Sequence, residues 1–195
     1  RIEYLITKYK VRPEEILVIT FTKYAANEMK ERFWQVMGNV RMPVTFGTFH
    51  GIYYGILKWA YRLNQENLLT DEEKDALLRQ IAGQLEWDVL GESGDERDAL
   101  KELAAEVGNI KNNCLDIEEY ESRRYKTSMF RELYRLYERE KRKLRKIDFE
   151  DMLIMCRELF LKRPDILKKW QEKFQYILVD EFQDISPLQY RLIQA

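Results

Sequence analysis

Two adjacent carboxylates, Asp180 and Glu181, follow a hydrophobic run that predicts a short β-strand at residues 176–179. Open α/β sheets bind their ligands at the carboxyl ends of strands, so this position is a candidate site. One carboxylate can hold Mg²⁺ there, usually through water, while its neighbour orients or deprotonates an attacking water. The pair therefore fits hydrolysis of a magnesium nucleotide. Taken alone, it also fits a solvated acidic junction between a strand and a helix.

The acids belong to a longer string, VDEFQDISPLQ, at residues 179–189. This string resembles the Walker B motif of the UvrD/Rep/PcrA-type superfamily 1 DNA helicases, including their AddA and RecB relatives. The resemblance implies ATP and Mg²⁺ as cofactors. It also implies that Asp180 holds Mg²⁺, that Glu181 activates water, and that Gln183 senses the γ-phosphate and links it to the DNA site.

A second segment, TFTKYAANEM at residues 20–29, resembles motif Ia of the same family. The usual pattern is TFTNKAAxEM, so Lys23 and Tyr24 stand where it has Asn and Lys, although the AddA/RecB-like branch often has Lys first. By this resemblance Phe21 would meet a DNA base, and Thr22 or Lys23 would meet a phosphate. The chemistry is suitable because aromatic stacking tolerates any base, while cations and helix N-termini bind phosphate.

Two further segments match the family. GTFHG at residues 47–51 resembles motif Ib. This resemblance implies that Thr48 and His50 contact the DNA backbone or couple DNA binding to the nucleotide site. Without it, a lone histidine at a helix start is more often a structural hydrogen-bonding residue. DFED at residues 148–151 resembles the DFxDL segment. Acids in the first turn of a helix complement its dipole, so helix capping explains this segment first.

The elements that position these motifs predict an α/β fold. Strand-to-helix junctions recur at three places, which predicts a parallel sheet with its loops gathered at one edge. With the resemblance, we expect an incomplete P-loop NTPase (RecA-like) sheet carrying a large all-helical insertion, helix-dominated overall. The expected domains are the first part of the motor domain (1–55), the helical insertion (56–145), and the return to the motor domain with the Walker B motif (146–195).

Several residues have the pattern of helix caps. Thr22 fits the cap of the helix that follows the first strand, and the others lie within the predicted insertion. Thr70 and Glu73 fit a capping box, Asp116 fits the start of a short helix, and Ser128 fits the start of a long one. A looser stretch lies at 91–94. Just before the insertion and at its start, four aromatic residues are expected to be core or interface residues, not stacking platforms: Tyr53, Tyr54, Trp59 and Tyr61.

The net charge of −1 hides a strong segregation of charge. Residues 66–106 contain thirteen acids against four bases, and residues 123–146 contain eleven bases against three acids. A basic run of this kind suits phosphate contacts, and it equally suits a solvated helix face. Both interpretations stay open from the sequence.

Composition indicates a globular protein, since 45% of the 195 residues are hydrophobic. No apolar run approaches the ~18 residues of a membrane span. Cys114 and Cys156 have no metal-like spacing and are expected to be reduced thiols, which favours a cytoplasmic location.

One expected motif has no match. No segment fits GxxxxGK[ST], the loop that cradles the β- and γ-phosphates, and none of the eight glycines precedes a lysine. Because the chain starts at Arg1 and not at Met, we expect it to be an excerpt. The loop would then precede Arg1, and the arginine fingers and second motor domain would follow Ala195. Alone, such an excerpt should be inactive.

The resemblance implies a parent ATP-dependent helicase or translocase that moves 3′ to 5′ on single-stranded DNA in repair, replication or recombination. Its expected partners are single-stranded and duplex-junction DNA, with repair or recombination proteins besides. The alternatives are a helicase-like DNA- or protein-binding module without ATP turnover, and a helicase-nuclease with a nuclease domain further along. The sequence leaves the oligomeric state, the exact substrate and the pathway open.

Overall fold

A computed structural model describes residues 1–87 and 96–195, so the loose stretch at 91–94 lies outside the described residues. The chain divides into two compact units. Unit 1 comprises residues 1–60, 155–185 and 189–195, and unit 2 comprises residues 61–154 and 186–188. No helix within the described ranges is long and apolar enough to span a bilayer.

The described helices are α1 (Ile2–Thr7), α2 (Lys23–Val36), α3 (Phe49–Tyr61), α4 (Asp71–Gln84), α5 (Glu96–Asn112), α6 (Thr127–Leu144), α7 (Phe149–Lys162), α8 (Pro164–Lys173) and α9 (Pro187–Gln194). The strands are β1 (Ile16–Thr20), β2 (Thr45–Thr48) and β3 (Tyr176–Val179). Short 3₁₀ turns occupy Pro13–Glu15, Gln65–Asn67 and Phe182–Asp184.

The strands of unit 1 form a parallel sheet in the order β2-β1-β3. All five residues of β1 are buried, as its unbroken β-branched and aliphatic sequence predicts for a central parallel strand. The helix-rich chain with a small parallel sheet agrees with the α/β prediction. Assignment to the P-loop NTPase (RecA-like) class stays a prediction.

Strand β3, at one edge of the sheet, is less buried than its hydrophobic sequence suggests. Tyr176 and Ile177 are each 39% exposed, because β3 pairs with β1 and with no second strand among the described residues. The apolar core of unit 1 lies elsewhere, where Phe33 of α2 packs with Ile16 and Val18 of β1. This packing holds the later turns of α2 against the first half of the central strand.

Unit 2 is helical. Its core is formed by apolar faces of α4, α5 and α6, with Leu78, Ile81, Leu103, Phe130 and Leu133 fully or almost fully buried. Each helix contributes apolar residues at helical spacing, which is the pattern that directs one face of a helix into a core.

The caps of unit 2 follow the sequence only in part. The capping box is confirmed, since the Thr70 hydroxyl accepts a bond from the Glu73 amide (3.2 Å) and the Glu73 carboxylate accepts one from the Thr70 amide (3.0 Å). The expectation for Ser128 is wrong. The cap position of α6 lies two residues earlier, at Lys126, whose carbonyl accepts the first amide bonds and whose side chain makes no cap.

The expected helix after Asp116 is also absent. The Asp116 carboxylate accepts a bond from the Glu118 amide (2.9 Å), and its carbonyl accepts one from the Tyr120 amide (2.9 Å). These bonds close a single turn that does not continue. A short polar side chain can satisfy nearby amides in a turn as well as at a helix start, and here the turn forms.

A buried cluster of charges joins α5, α6 and the start of α7 within unit 2. The Lys111 ammonium lies 2.7 Å from Asp148, 2.8 Å from Asp151 and 2.7 Å from Glu138. The Lys141 ammonium lies 2.7 Å from Asp148 and 2.9 Å from Glu138, and it also contacts Asp151. Both lysine side chains are only 2% exposed. We refer to these five residues as the buried charge cluster.

The lysines compensate the charge of the acids. Burial alone would raise the pKa of Asp148, but the Lys111 and Lys141 ammoniums hold it well below its ordinary value. Burial opposes the charge on Lys111 as well, yet the surrounding carboxylates raise its pKa well above the usual range. Oxygens of Glu138, Asp148 and Asp151 lie within 4.8 Å of one another, a spacing that would suit a metal ion. Here ammonium groups contact all three carboxylates.

Asp148 and Asp151 also cap α7, which agrees with the interpretation of the DFED segment from its sequence. The Asp148 carboxylate accepts a bond from the Asp151 amide (2.8 Å), and the Asp151 carboxylate accepts one from the Asp148 amide (3.0 Å). The same two acids therefore start a helix and hold two buried lysines.

Neither cysteine within the described part of the chain is in a disulfide. Burial raises the pKa of the Cys156 thiol to about 12, so little thiolate forms near neutral pH.

The buried charge cluster gives a stability prediction. We expect Lys141→Met to lower the free energy of unfolding by about 3–5 kcal/mol, since the buried Asp148 and the partly buried Glu138 and Asp151 then share one lysine. The control is Lys143→Met on the same helix, where the exposed lysine pairs with Glu140 and the loss should stay below about 1 kcal/mol. Urea unfolding of both variants measures the difference, and equal losses would contradict this role of the cluster.

Candidate functional site

The register of the sheet brings the three predicted junctions to one edge of unit 1. Thr20 at the end of β1 lies opposite Thr48 at the end of β2. On the other side, the Asp180 amide donates to the Ile19 carbonyl (2.9 Å), which carries the pairing one residue beyond β3. The residues that follow all three strands therefore emerge at the same edge, as the sequence predicts.

The turn after β1 is held by two threonines. The buried Thr20 hydroxyl donates to the Thr22 carbonyl (2.9 Å) and accepts from the Thr22 amide (3.3 Å). The Thr22 hydroxyl then accepts from the Ala25 amide (3.0 Å), so Thr22 caps α2 as predicted. This cap uses an acceptor lone pair of the hydroxyl and leaves its proton available to donate.

Phe21 stands in this turn with one side supported and the other open. Its ring centre lies 6.0 Å from that of the buried Phe49, which in turn stacks on Tyr53 at 6.4 Å. Phe21 itself remains 41% exposed. An aromatic ring held in this way can stack on a flat partner without losing much side-chain freedom, because its position is already fixed.

The neighbouring Lys23 is exposed and makes no ion pair with any residue in the described ranges. Its charge is therefore available to an anion at the first turn of α2.

The turn after β2 depends on close packing at two glycines. The Thr48 hydroxyl accepts a bond from the Gly51 amide (3.1 Å), which starts α3 directly after the strand. A Cβ atom on Gly47 would lie 2.8 Å from the Ile52 side chain, and one on Gly51 would lie 3.1 Å from the Thr48 hydroxyl. His50 lies half-buried in the first turn of α3. The functional roles of Thr48 and His50 stay predictions.

The third junction contains the two carboxylates. Asp180 is half-buried at the end of β3, and its carboxylate has no ion pair or hydrogen bond within the described part of the chain. Free carboxylate oxygens are hard ligands of the type that Mg²⁺ prefers, so this side chain fits a magnesium ligand. Glu181 and Gln183 are exposed beside it.

Glu181 has a left-handed backbone, with φ 49° and ψ 46°. A non-glycine residue in this region is strained by roughly 1–2 kcal/mol. The chain direction changes at Glu181, and a 3₁₀ turn over Phe182–Asp184 follows. This backbone is not predicted by the sequence, because glycine or asparagine is the usual signal for it and glutamate gives none.

An amide connects the acids of this turn. The Gln183 side-chain nitrogen donates to the Glu181 carboxylate and, at 3.4 Å, to the Asp184 carboxylate. The hydrogen bond gives the Glu181 carboxylate a fixed partner, while the Asp180 carboxylate has none among the described residues. The two adjacent acids thus have different surroundings.

The aromatic residues of α3 differ from one another. Tyr53 is buried, in agreement with its predicted place in the core, and Tyr54 is half-buried. Trp59 and Tyr61 are 56% and 46% exposed, so the core part of that prediction is wrong for them. Only one face of α3 is buried, and both residues lie in its last turn, away from that face.

Acidic side chains form ion pairs with several basic residues of the run at 123–146. Arg124 pairs with Glu102 and Arg135 with Glu118, while Lys141 belongs to the buried charge cluster. The run is therefore less positive at the surface than its sequence indicates. Its contact with DNA stays a prediction.

Comparison with known proteins extends over the whole chain. Residues 1–195 match the family model described as the UvrD/REP helicase N-terminal domain. The chain is 37% identical to YjcD of Bacillus subtilis strain 168, whose name describes an ATP-dependent DNA helicase. It is 32% identical to the DNA helicase II homolog of Mycoplasma capricolum and 29% identical to the ATP-dependent DNA helicase PcrA of Staphylococcus aureus.

Each of these alignments includes 100% of this chain. The chain spans 26% of the length of YjcD and 27% of the length of the other two relatives.

The strained backbone at Glu181 leads to a second prediction. We expect Glu181→Gly to raise the free energy of unfolding by about 0.5–1 kcal/mol, because glycine adopts this backbone without strain but gains freedom when unfolded. Glu181→Gln removes the charge and keeps the strain, so its stability should stay near that of the wild type. Urea unfolding compares the two variants, and a glycine variant no more stable than the glutamine variant would contradict the assignment of strain.

Proposed function

Because the chain belongs to the UvrD/REP helicase N-terminal domain family, we propose that the protein containing it is an ATP-dependent DNA helicase that moves 3′ to 5′ on single-stranded DNA. One observation carries the proposal beyond family membership. A supported aromatic ring emerges from the carboxyl edge of one three-stranded sheet, together with a lysine and a carboxylate that have no ion pair with any residue in the described ranges. These are the groups that stack a base, bind a phosphate and hold a magnesium ion.

On the nucleotide side, Asp180 would hold Mg²⁺ and Glu181 would take the proton of the attacking water. When bound, the ion supplies positive charge that offsets the charge developing on the phosphates. The Gln183 amide orients the Glu181 carboxylate through the hydrogen bond between them, and it is well placed to respond to a change beside that carboxylate. This arrangement supports its proposed role as the sensor of the γ-phosphate.

On the DNA side, Phe21 would stack on a base, while Thr22 and Lys23 would bind an adjacent phosphate. Thr48 and His50 would contact the DNA backbone from the neighbouring junction. The shared sheet edge supports coupling between DNA and nucleotide, since Thr20 and Ile19 of β1 are joined by the sheet register to the ends of β2 and β3. A displacement at one junction therefore acts on its neighbours through short, rigid connections.

We further propose a P-loop NTPase (RecA-like) motor domain as the parent fold. In this proposal residues 1–55 and 146–195 belong to the motor and residues 56–145 form its helical insertion. The wider assignment is a cytoplasmic enzyme acting on single-stranded and duplex-junction DNA in repair, replication or recombination, together with proteins of those processes.

The 195 residues by themselves should not turn ATP over at a useful rate. Phosphoryl transfer depends on positioning and on charge stabilisation by many donors. Asp180, Glu181 and Gln183 supply only the Walker B part of such a set.

The test of the proposed function is DNA-stimulated ATP hydrolysis by the full-length protein. We expect Glu181→Gln to lower kcat by about 10²–10⁴-fold, the range that a positioned general base contributes, with ATP binding retained. Asp184→Asn is a matched control that also removes a charge from this turn, and it should retain most of the activity. If the wild-type protein binds DNA but hydrolyses no ATP, the proposal of an enzyme is overturned and a binding module is favoured.

A further inference from the structure

Tyr24 has no role in the function proposed above, yet its side chain is the most exposed large apolar one in the described ranges, at 78%. Its ring makes no aromatic contact, and its hydroxyl makes no hydrogen bond, with any described residue. Single exposed apolar residues are common on protein surfaces, so exposure alone assigns no function. The residues beside Tyr24 in the chain give its exposure a meaning.

Tyr24 follows Lys23 in the first turn of α2 and lies three residues after Phe21. The order along the chain is an exposed ring, an exposed cation and a second exposed ring. Three residues span at most about 10 Å of backbone, so the two rings are attached within reach of one short stretch of a bound chain. Single-stranded nucleic acid has a matching alternation of flat bases and anionic phosphates.

The backbone that carries these side chains is rigid. Bonds between Thr20 and Thr22 fix the turn, and the Thr22 cap fixes the first turn of the helix. The Tyr24 ring therefore projects from an ordered backbone, although the ring itself is free. A rigid base for an aromatic side chain lowers the entropy lost when it binds.

We propose that Tyr24 is a second base-stacking residue, which binds the nucleotide next to the one on Phe21, with the Lys23 ammonium on the phosphate between them. This inference rests on the proposed function. It gives the position a different chemistry from the family pattern, which has a lysine here. A lysine contributes charge and hydrogen bonds to the backbone phosphates, whereas a tyrosine ring can stack on the base.

The experiment measures binding of a fluorescent oligothymidylate to the full-length protein by anisotropy. We expect Tyr24→Ala to raise Kd by about 5- to 150-fold, the range for loss of one aromatic stacking contact, and Tyr24→Phe to bind like the wild type. Tyr9→Ala is the matched control, since Tyr9 is 63% exposed and lies outside the site. Because Tyr24 is so exposed, its substitution should leave the urea midpoint unchanged.

Two further readouts separate stacking from charge or from a structural effect. Tyr24→Lys should bind well at low salt but with a steeper salt dependence, since one more phosphate contact adds about 0.7 to the slope for single strands. An abasic site moved along the oligothymidylate should abolish the penalty of Tyr24→Ala at one position. The penalty of Phe21→Ala should vanish at the adjacent position.

The results distinguish a failure of the stacking role of Tyr24 from a failure of the proposed function. If Phe21→Ala weakens binding but Tyr24→Ala does not, the stacking role of Tyr24 is overturned and the proposed function stands. Equal weakening by Tyr24→Ala and Tyr9→Ala, or a penalty that no abasic position relieves, also overturns it. A wild-type protein that does not bind oligothymidylate overturns the inference and the DNA function together.

Discussion

The parallel pairing of β1 with a neighbour on each side is the constraint on which the candidate site depends. A shift of one residue in either pairing would turn the side chains of a strand to the opposite face and move one junction away from the other two. The buried sequence of β1 prevents such a shift, because every residue of the strand is already packed. A strand that carries no proposed catalytic group therefore positions all of them.

Unit 2 is stabilised on a different basis. Its apolar helices bury a core, but the buried charge cluster also joins α5 to α6 and to the start of α7. Charges taken out of water gain free energy only when their partners are well placed, so this cluster tolerates fewer helix arrangements than apolar contacts would. We infer that the cluster helps to select one packing arrangement of these helices.

The features predicted correctly from the sequence are those determined by residues that lie close together along the chain. The cap at Thr22 and the capping box of Thr70 and Glu73 involve residues three apart, and β1 and β3 are marked by continuous hydrophobic runs. The arrangement of the junctions followed from the rule that parallel strands end at one edge of a sheet. Local chemistry and one topological rule were enough for this part of the site.

The features that the sequence did not reveal depend on distant partners. Lys111 lies 37 residues from Asp148, and nothing in the sequence pattern marks it as buried. Trp59 is apolar but lies on a part of α3 that the core does not cover. Glu181 takes a backbone that its residue type disfavours, so it can be found only in the folded chain.

The protection of Lys111 and Lys141 has a consequence for chemical labelling. Acylating reagents attack the neutral, accessible form of an amine, and these two side chains are 2% exposed and surrounded by carboxylates. The raised pKa of Lys111 reduces its neutral form further. Reagents that modify surface lysines would therefore spare both, and their appearance among labelled peptides would report that the helices of unit 2 had come apart.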